Sequence, residues 1–355
     1  MAFACITPAL VTGSMADRMK LSAFVVWVTM WTVLVYPLIA HWGFSPGGWF
    51  VTWGALDFAG GYVVHSNAGA AGLAMAILLG RREGWPERTM QAHNLPLCIV
   101  GLLMIWFGWF GFNAGSAITA KHLAAQALLN TNLAACTGLL GWVAVEALFD
   151  GRTTAIGAGS GAVAGLVAIT PAAGYVDGGG SLVIGAVAGV ACAIAIELKW
   201  KTRCGLSIDD SLDVVGVHLF AAIIGCLLIG LLATTSVNPG GADGAFYGGG
   251  FLLLGKQAAC SVATCVTSFS LTWLIGKLID LTIGLRVPLE GERLGLDIHL
   301  HKVHAYSTYD GYTPLPDRTS TSTHLLPGTT GAVHQIGIEI AELKRMVEVQ
   351  VRGQQ

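Results

Sequence analysis

Charge is what this chain of 355 residues has least of. Asp, Glu, Lys and Arg make up 11% of it, under half of the roughly 25% carried by a soluble globular domain. Much of that charge is also confined to one end, since fifteen charged residues fall within 286–355. A net charge of −2 with no basic run argues against a nucleic-acid binder. The same scarcity argues against a disordered chain or a soluble enzyme. The eight cysteines form no CxxC and no even-spaced framework, so they read as small apolar side chains, neither disulfides nor metal ligands. No carboxylate or cysteine stands at ligand spacing from a histidine, so no metal or other cofactor is implied. No nucleophile–base pair is found, so the chain does not read as an enzyme. Met1-Ala2-Phe3-Ala4-Cys5 opens without the basic region or cleavage site of a signal peptide.

What is abundant is apolar: 54% of residues are hydrophobic, with a mean hydropathy of +0.66. A bilayer core of ~30 Å asks for about 20 such residues per helix. Windows of that kind fall at 21–42, 58–80, 95–117, 123–149, 155–174, 180–198, 212–235 and 257–285. Residues 1–16 add an apolar stub, as if the chain began partway through a helix. Alternate connections hold Arg18, Lys20, Arg81, Arg82, Arg88, Arg152, Lys199, Lys201 and Arg203, against only Lys121 and Lys256 in the others. The basic side is expected to be cytoplasmic, and the stretch from Arg286 onward with it. Glycine and alanine crowd 68–72, 157–165 and 185–189, as in membrane helices that pack through small residues.

Polar groups within the spans stand out because each is costly without a partner. Of ten histidines, only His65 and His218 lie inside apolar helices. They follow Asp57-Phe-Ala-Gly-Gly-Tyr-Val-Val and Asp213-Val-Val-Gly-Val. One helix is entered from outside and the other from inside, as an inverted repeat would give. Asp57 and Asp213 read as N-terminal helix caps. Measured along straight helices at 1.5 Å per residue, His65 lies ~10 Å from one end of its span and His218 ~9 Å from the opposite end of its own. By that ruler the two do not meet. A third constellation is Trp106-Phe-Gly-Trp109-Phe-Gly-Phe112-Asn113-Ala-Gly-Ser116. Its aromatic faces can attract a cation and its polar groups can accept hydrogen bonds, whereas the bland alternative is an interfacial aromatic belt.

With these stretches in hand, the sequence resembles the Amt/Mep/Rh ammonium transporter family. The resemblance is carried by Phe3-Ala-Cys-Ile-Thr7, Ala55-Leu-Asp-Phe-Ala-Gly-Gly-Tyr-Val-Val-His65, Ala92-His-Asn-Leu-Pro96, Gly108 to Ala117, Gly161 to Val167, Thr170-Pro171, Gly216-Val-His218, Asp280 to Arg286 and Gly295-Leu-Asp297. It implies an all-α polytopic membrane protein with an inverted repeat, lacking the first two helices and half of the third, and a homotrimer with one pore per protomer. It further implies a gate at Phe3 and Phe112 and a pore lined by twin histidines, His65 and His218. Ammonium recruitment is implied at Ser116, Phe44 and Trp109, with Asp57 structural near that site. Phe44 stands where the family has a vestibule tryptophan, for which Trp42 or Trp49 could substitute. Leu219 replaces a glycine that often follows the second histidine, which would narrow the pore surroundings, and His301-Lys302-Val303 departs from the family's tail pattern.

The implied activity is passage of ammonium across the plasma membrane, deprotonated at the gate and carried as ammonia past the histidines. An ammonium sensor and a neutral gas channel are the alternatives. The expected organisation is a transmembrane part over 1–285, an ordered cytoplasmic segment over 286–306, and a mostly disordered tail over 307–355. A short amphipathic helix over 336–350 follows from Ile336, Ile340, Leu343 and Val347. Thr319, Ser320, Thr321, Ser322 and Thr323 are candidate sites for a kinase, or for control by another cytoplasmic regulator.

Overall fold

In a computed structural model, residues 1–86, 92–201 and 208–303 are described. The first compact unit is Met1–Lys302; the second, Val303–Gln355, is described only at its first residue. The expected tail helix at 336–350 and the phosphorylation candidates therefore lie outside the described residues. So does Cys204.

The first unit is built almost wholly of helices. They are α1 (Ala2–Met15), α2 (Leu21–Leu34), α3 (Tyr36–Phe44), α4 (Trp49–Trp53), α5 (Asn67–Leu79), α6 (Leu95–Gly115) and α7 (His122–Asp150). After them come α8 (Ala155–Ile169), α9 (Gly178–Lys201), α10 (Ala221–Leu232), α11 (Leu252–Thr282) and α12 (Leu289–Leu294). Among the described residues, seven helical stretches are long and apolar enough to cross a membrane, one fewer than the eight expected. The difference is the window 155–174. Its helix, α8, is only 15 residues long, because Pro171 has no N–H to carry the ladder on and the Thr170 N–H turns back to the Val167 carbonyl.

One core cluster gathers around α7 to α10 and another around α1, α2, α3, α5 and α11. Helices α7, α8 and α9 approach so closely that a Cβ on Gly165 would strike the Ala134 carbonyl, and one on Gly189 the Gly138 carbonyl. The small residues thus serve the close packing expected of them. Outside the core, α6 turns Leu97, Leu103, Met104 and Phe107 outward, as suits a helix facing lipid or another subunit. The cysteines divide: Cys192, Cys226 and Cys260 are buried, whereas Cys5, Cys98 and Cys136 lie on exposed surfaces. None of the seven described cysteines is in a disulfide.

The basic connections meet at one end of the bundle. Arg82 forms a paired hydrogen-bonded contact with Asp209, at 2.9 Å from both Nε and Nη2, and its other amino group reaches Asp17. Arg18, fully buried, donates to the Asp209 carbonyl at 2.6 Å and to the Ser211 hydroxyl. Lys20 N–H bonds to the Leu285 carbonyl. Arg286 donates to the last carbonyl of α5, Leu79, and to Glu292 of α12, while Arg293 pairs with Glu83. Connections at 16–20, 80–83, 208–213 and 283–293 therefore share one face.

Burial works against the charge on Asp209, yet the Arg82 guanidinium outweighs it and holds the carboxyl below its ordinary range. A carboxyl with a depressed folded-state pKa stabilises fully above its unfolded value of about 3.9. That contribution fades as pH falls through the lower folded value. Asp209→Asn takes from the buried Arg82 its paired carboxylate and leaves it the exposed Asp17 at 3.3 Å, a loss of about 1.5–3 kcal/mol. Thermal unfolding in detergent at pH 7 should show a clearly lower midpoint for the variant, and the gap should close as the medium is taken below pH 4.

Candidate functional site

Two breaks in the helical ladder create the centre of the molecule. The chain leaves α4, runs without regular structure through 54–60, and re-enters a helix through a single π-helical turn, Gly61–Ser66, that continues into α5. A second π-helical turn, Val215–Phe220, continues into α10. Such turns are rare and concentrate at functional positions. The start of a helix inside an apolar bundle exposes N–H groups that must find acceptors. At the first break Asp57 supplies them: Oδ1 accepts from Gly60 and Gly61 N–H at 2.8 and 2.6 Å, and Oδ2 from Tyr62 and Val63 N–H at 2.9 and 3.4 Å. Gly60 takes φ +117°, a left-handed conformation open to glycine. Gln257 of α11 holds the approach by bonding both the N–H and the carbonyl of Leu56 at 2.9 Å.

At the second break the expected cap was Asp213, and the structure corrects this. Asp210 accepts from the Val215 N–H at 2.6 Å and from the Ser14 hydroxyl of α1 at 2.6 Å. Asp213 instead sits in the turn at φ +56°. The signal was present in the sequence: Asp57 precedes His65, and Asp210 precedes His218, by the same number of residues.

The two π-helical turns carry His65 and His218 to each other. Their Nδ1 atoms are 3.3 Å apart, and the rings stack with centroids 5.4 Å apart and planes 15° from parallel. One Nδ1 must bear hydrogen for this contact while the other accepts. The depth ruler that kept the histidines apart fails at the first helix. The second turn begins directly after the end-face connection 208–213, but the first begins only after the irregular segment 54–60 has entered the bundle. Such backbone is tolerated there because protein groups satisfy it.

Above the pair stands a file of aromatic rings. Phe44 lies 5.8 Å from Phe3, and Phe3 lies 4.4 Å from Phe112, centroid to centroid. Phe112 is 5.9 Å from His65 and 5.3 Å from Trp109, and Trp109 stacks on His65 at 5.2 Å and 14°. Ser116, half-buried beside them, donates its hydroxyl to the Phe112 carbonyl at 2.9 Å, which leaves its oxygen lone pairs available. Trp42 and Trp49 pack on one another and on Phe50, whereas Phe44 joins the file. Two other groups went unassigned in the sequence: Thr170, which bonds the Trp109 indole, and Gln257. Neither residue type distinguishes itself within an apolar window.

Residues 1–306 match the Ammonium Transporter Family. The chain belongs to that family. An ammonium transporter of Mycobacterium tuberculosis is 45% identical over 321 residues, covering 87% of this chain and 66% of the relative. The solved structure of Mep2 from Candida albicans superposes with a TM-score of 0.76 at 34% identity, covering 89% of this chain and 70% of that one. A solved protein described as a sensor Amt protein gives 0.75 at 30% identity, covering 83% and 74%. The chain thus spans about two thirds of the length of such members of the ammonium transporter family.

Leu219, where the family resemblance leads one to expect glycine, finds its room elsewhere. Gly69 of α5 faces it, and a Cβ there would stand 2.5 Å from the Leu219 nitrogen and 2.7 Å from its Cα. Backbone cannot yield as a side-chain tip can. Gly69→Ala should push the His218 turn away from α5 and destabilise the protein by about 1–3 kcal/mol. Gly47→Ala, which meets nothing within 4 Å, serves as the control, and a thermal-melt comparison of the two in detergent is the check.

Proposed function

We propose that this chain conducts ammonium as ammonia across a membrane, recruiting the cation at Ser116 and Phe44, while Trp109, buried beyond the Phe112 gate and stacked on His65, lines the path. The supporting observation is the unbroken file Phe44, Phe3, Phe112, His65, His218 in a member of the ammonium transporter family. A bare cation loses too much solvation to pass an apolar file. Aromatic faces and the Ser116 oxygen offset part of that loss at the entrance. Phe3 and Phe112 are in contact, so passage requires one of these gate rings to swing aside. Beyond them the cation passes its proton to the Nε2 of His65, unpartnered among the described residues, and His65 hands its own Nδ1 hydrogen on to His218. Ammonia then moves along the imidazole edges, with the coupled Nδ1 atoms of His65 and His218 available to exchange hydrogen. An ion with no proton to surrender, such as potassium, is refused. Asp57 acts on the path indirectly, by holding the turn that presents His65. The working assembly in this reading is a homotrimer in the plasma membrane, with the basic face and the tail in the cytoplasm.

His65→Ala and His218→Ala should each abolish uptake of labelled methylammonium, or change the charge moved with it, in cells lacking their own ammonium transporters. Unchanged uptake and unchanged current in both variants would reject the pore assignment.

A second reading has one observation in its favour: the similarity to a solved protein described as a sensor Amt protein. In that reading the stretch after Arg286 reports ammonium to a cytoplasmic partner, or is set by a kinase. Deletion of 307–355 should leave uptake intact and remove only its regulation by nitrogen supply. Loss of both together would assign the tail to assembly.

A further inference from the structure

The geometry points to a positioning residue that the file of rings does not itself contain. Trp109 packs on both Phe112 and His65, and it is held from behind. Its indole Nε1 donates to the Thr170 hydroxyl at 2.8 Å, and that hydroxyl donates in turn to the Leu166 carbonyl at 2.7 Å. Thr170 is fully buried at the end of α8, and its oxygen is thereby saturated in one direction. The hydroxyl hydrogen is committed to Leu166, so the lone pairs face the indole. A tryptophan ring has a broad torsion about its last bond. Without the Nε1 bond, nothing polar fixes the plane that now lies 14° from His65.

Pro171 completes the support. Its carbonyl accepts from the Phe58 N–H at 3.0 Å, and its ring lies where a Cβ on Gly61 would stand only 2.5 Å away. The Thr170-Pro171 pair thus ends α8 against the very turn that carries His65. One dipeptide sets both members of the Trp109–His65 stack: the indole by a hydrogen bond, the imidazole's turn by contact.

We infer that Thr170 is a positioning residue for conduction, holding the Trp109 plane parallel to His65 so that the path between Phe112 and the histidines keeps one width. This rests on the transport reading above. Thr170→Val preserves shape and removes the hydroxyl. Methylammonium uptake should fall roughly three- to ten-fold, the equivalent of one neutral buried hydrogen bond, while Thr170→Ser should keep near-normal uptake. The decisive comparison is a double-mutant cycle: in a Trp109→Phe background, Thr170→Val should add no further loss. An equal loss in both backgrounds would overturn the inference, since Thr170 would then act independently of the indole.

A second readout does not depend on transport. Ultraviolet resonance Raman difference spectra of the purified full chain should show one indole N–H losing its hydrogen bond in Thr170→Val, absent from the same comparison made in the Trp109→Phe background. An unchanged spectrum would also overturn the inference. Should Thr170→Val fail to assemble, Thr170→Ala provides the same spectral comparison. A wild-type chain without uptake would refute the transport reading, and the Raman comparison would still decide the role of Thr170.

Discussion

Everything at the centre of this molecule depends on two carboxylates that cap helix starts, Asp57 half-buried and Asp210 buried. A helix that starts inside an apolar bundle leaves several N–H groups without acceptors, each costly to bury. Asp57 and Asp210 supply acceptors at the two breaks. Because of them both π-helical turns start with N–H groups satisfied, and at the first the chain enters the bundle as irregular backbone and begins its helix part-way in. That single device turns two histidines from opposite ends of two spans into neighbours 3.3 Å apart. Gln257, Ser14 and Pro171 brace the same breaks from α11, α1 and the end of α8.

The rings are arranged by packing, and the packing is made possible by small residues and a few hydrogen bonds. Gly69 lets the second π-helical turn lie against α5, and the glycines of α8 and α9 let those helices close on α7. The aromatic contacts are worth little individually, about 0.5–1.5 kcal/mol for a well-placed pair. Their consequence is geometric: Phe3 and Phe112, in contact, close the file between Phe44 and His65.

The far end of the bundle is governed by charge. Arg18, Arg82, Asp209, Arg286 and Glu292 join four connections through hydrogen-bonded ion pairs and carbonyl contacts. Three of those connections lead directly into elements of the centre: α1 with Ser14 and Phe3, α5 with His65, and the second π-helical turn with His218. The α12 segment is tied to the same network through Glu292 and Arg293.

The composition and the apolar windows by themselves determined the membrane class, nearly all span positions and the shared face of the basic connections. These follow from hydropathy and charge, which are properties of the residues one at a time. The two mid-span histidines were legible for the same reason: an ionisable side chain in an apolar run is conspicuous wherever the chain goes. Their meeting was not legible, because a ruler along straight helices has no way to see a helix that begins inside the bundle. Asp210 was hidden behind the nearer Asp213, although the equal spacing to the histidines held the signal. Thr170 stands among the family-like stretches, but its bond to an indole 61 residues away in sequence is a fact of tertiary packing. Only the folded chain decides which carboxylate caps which turn and which plane a tryptophan ring adopts, since both depend on groups that sequence distance keeps apart.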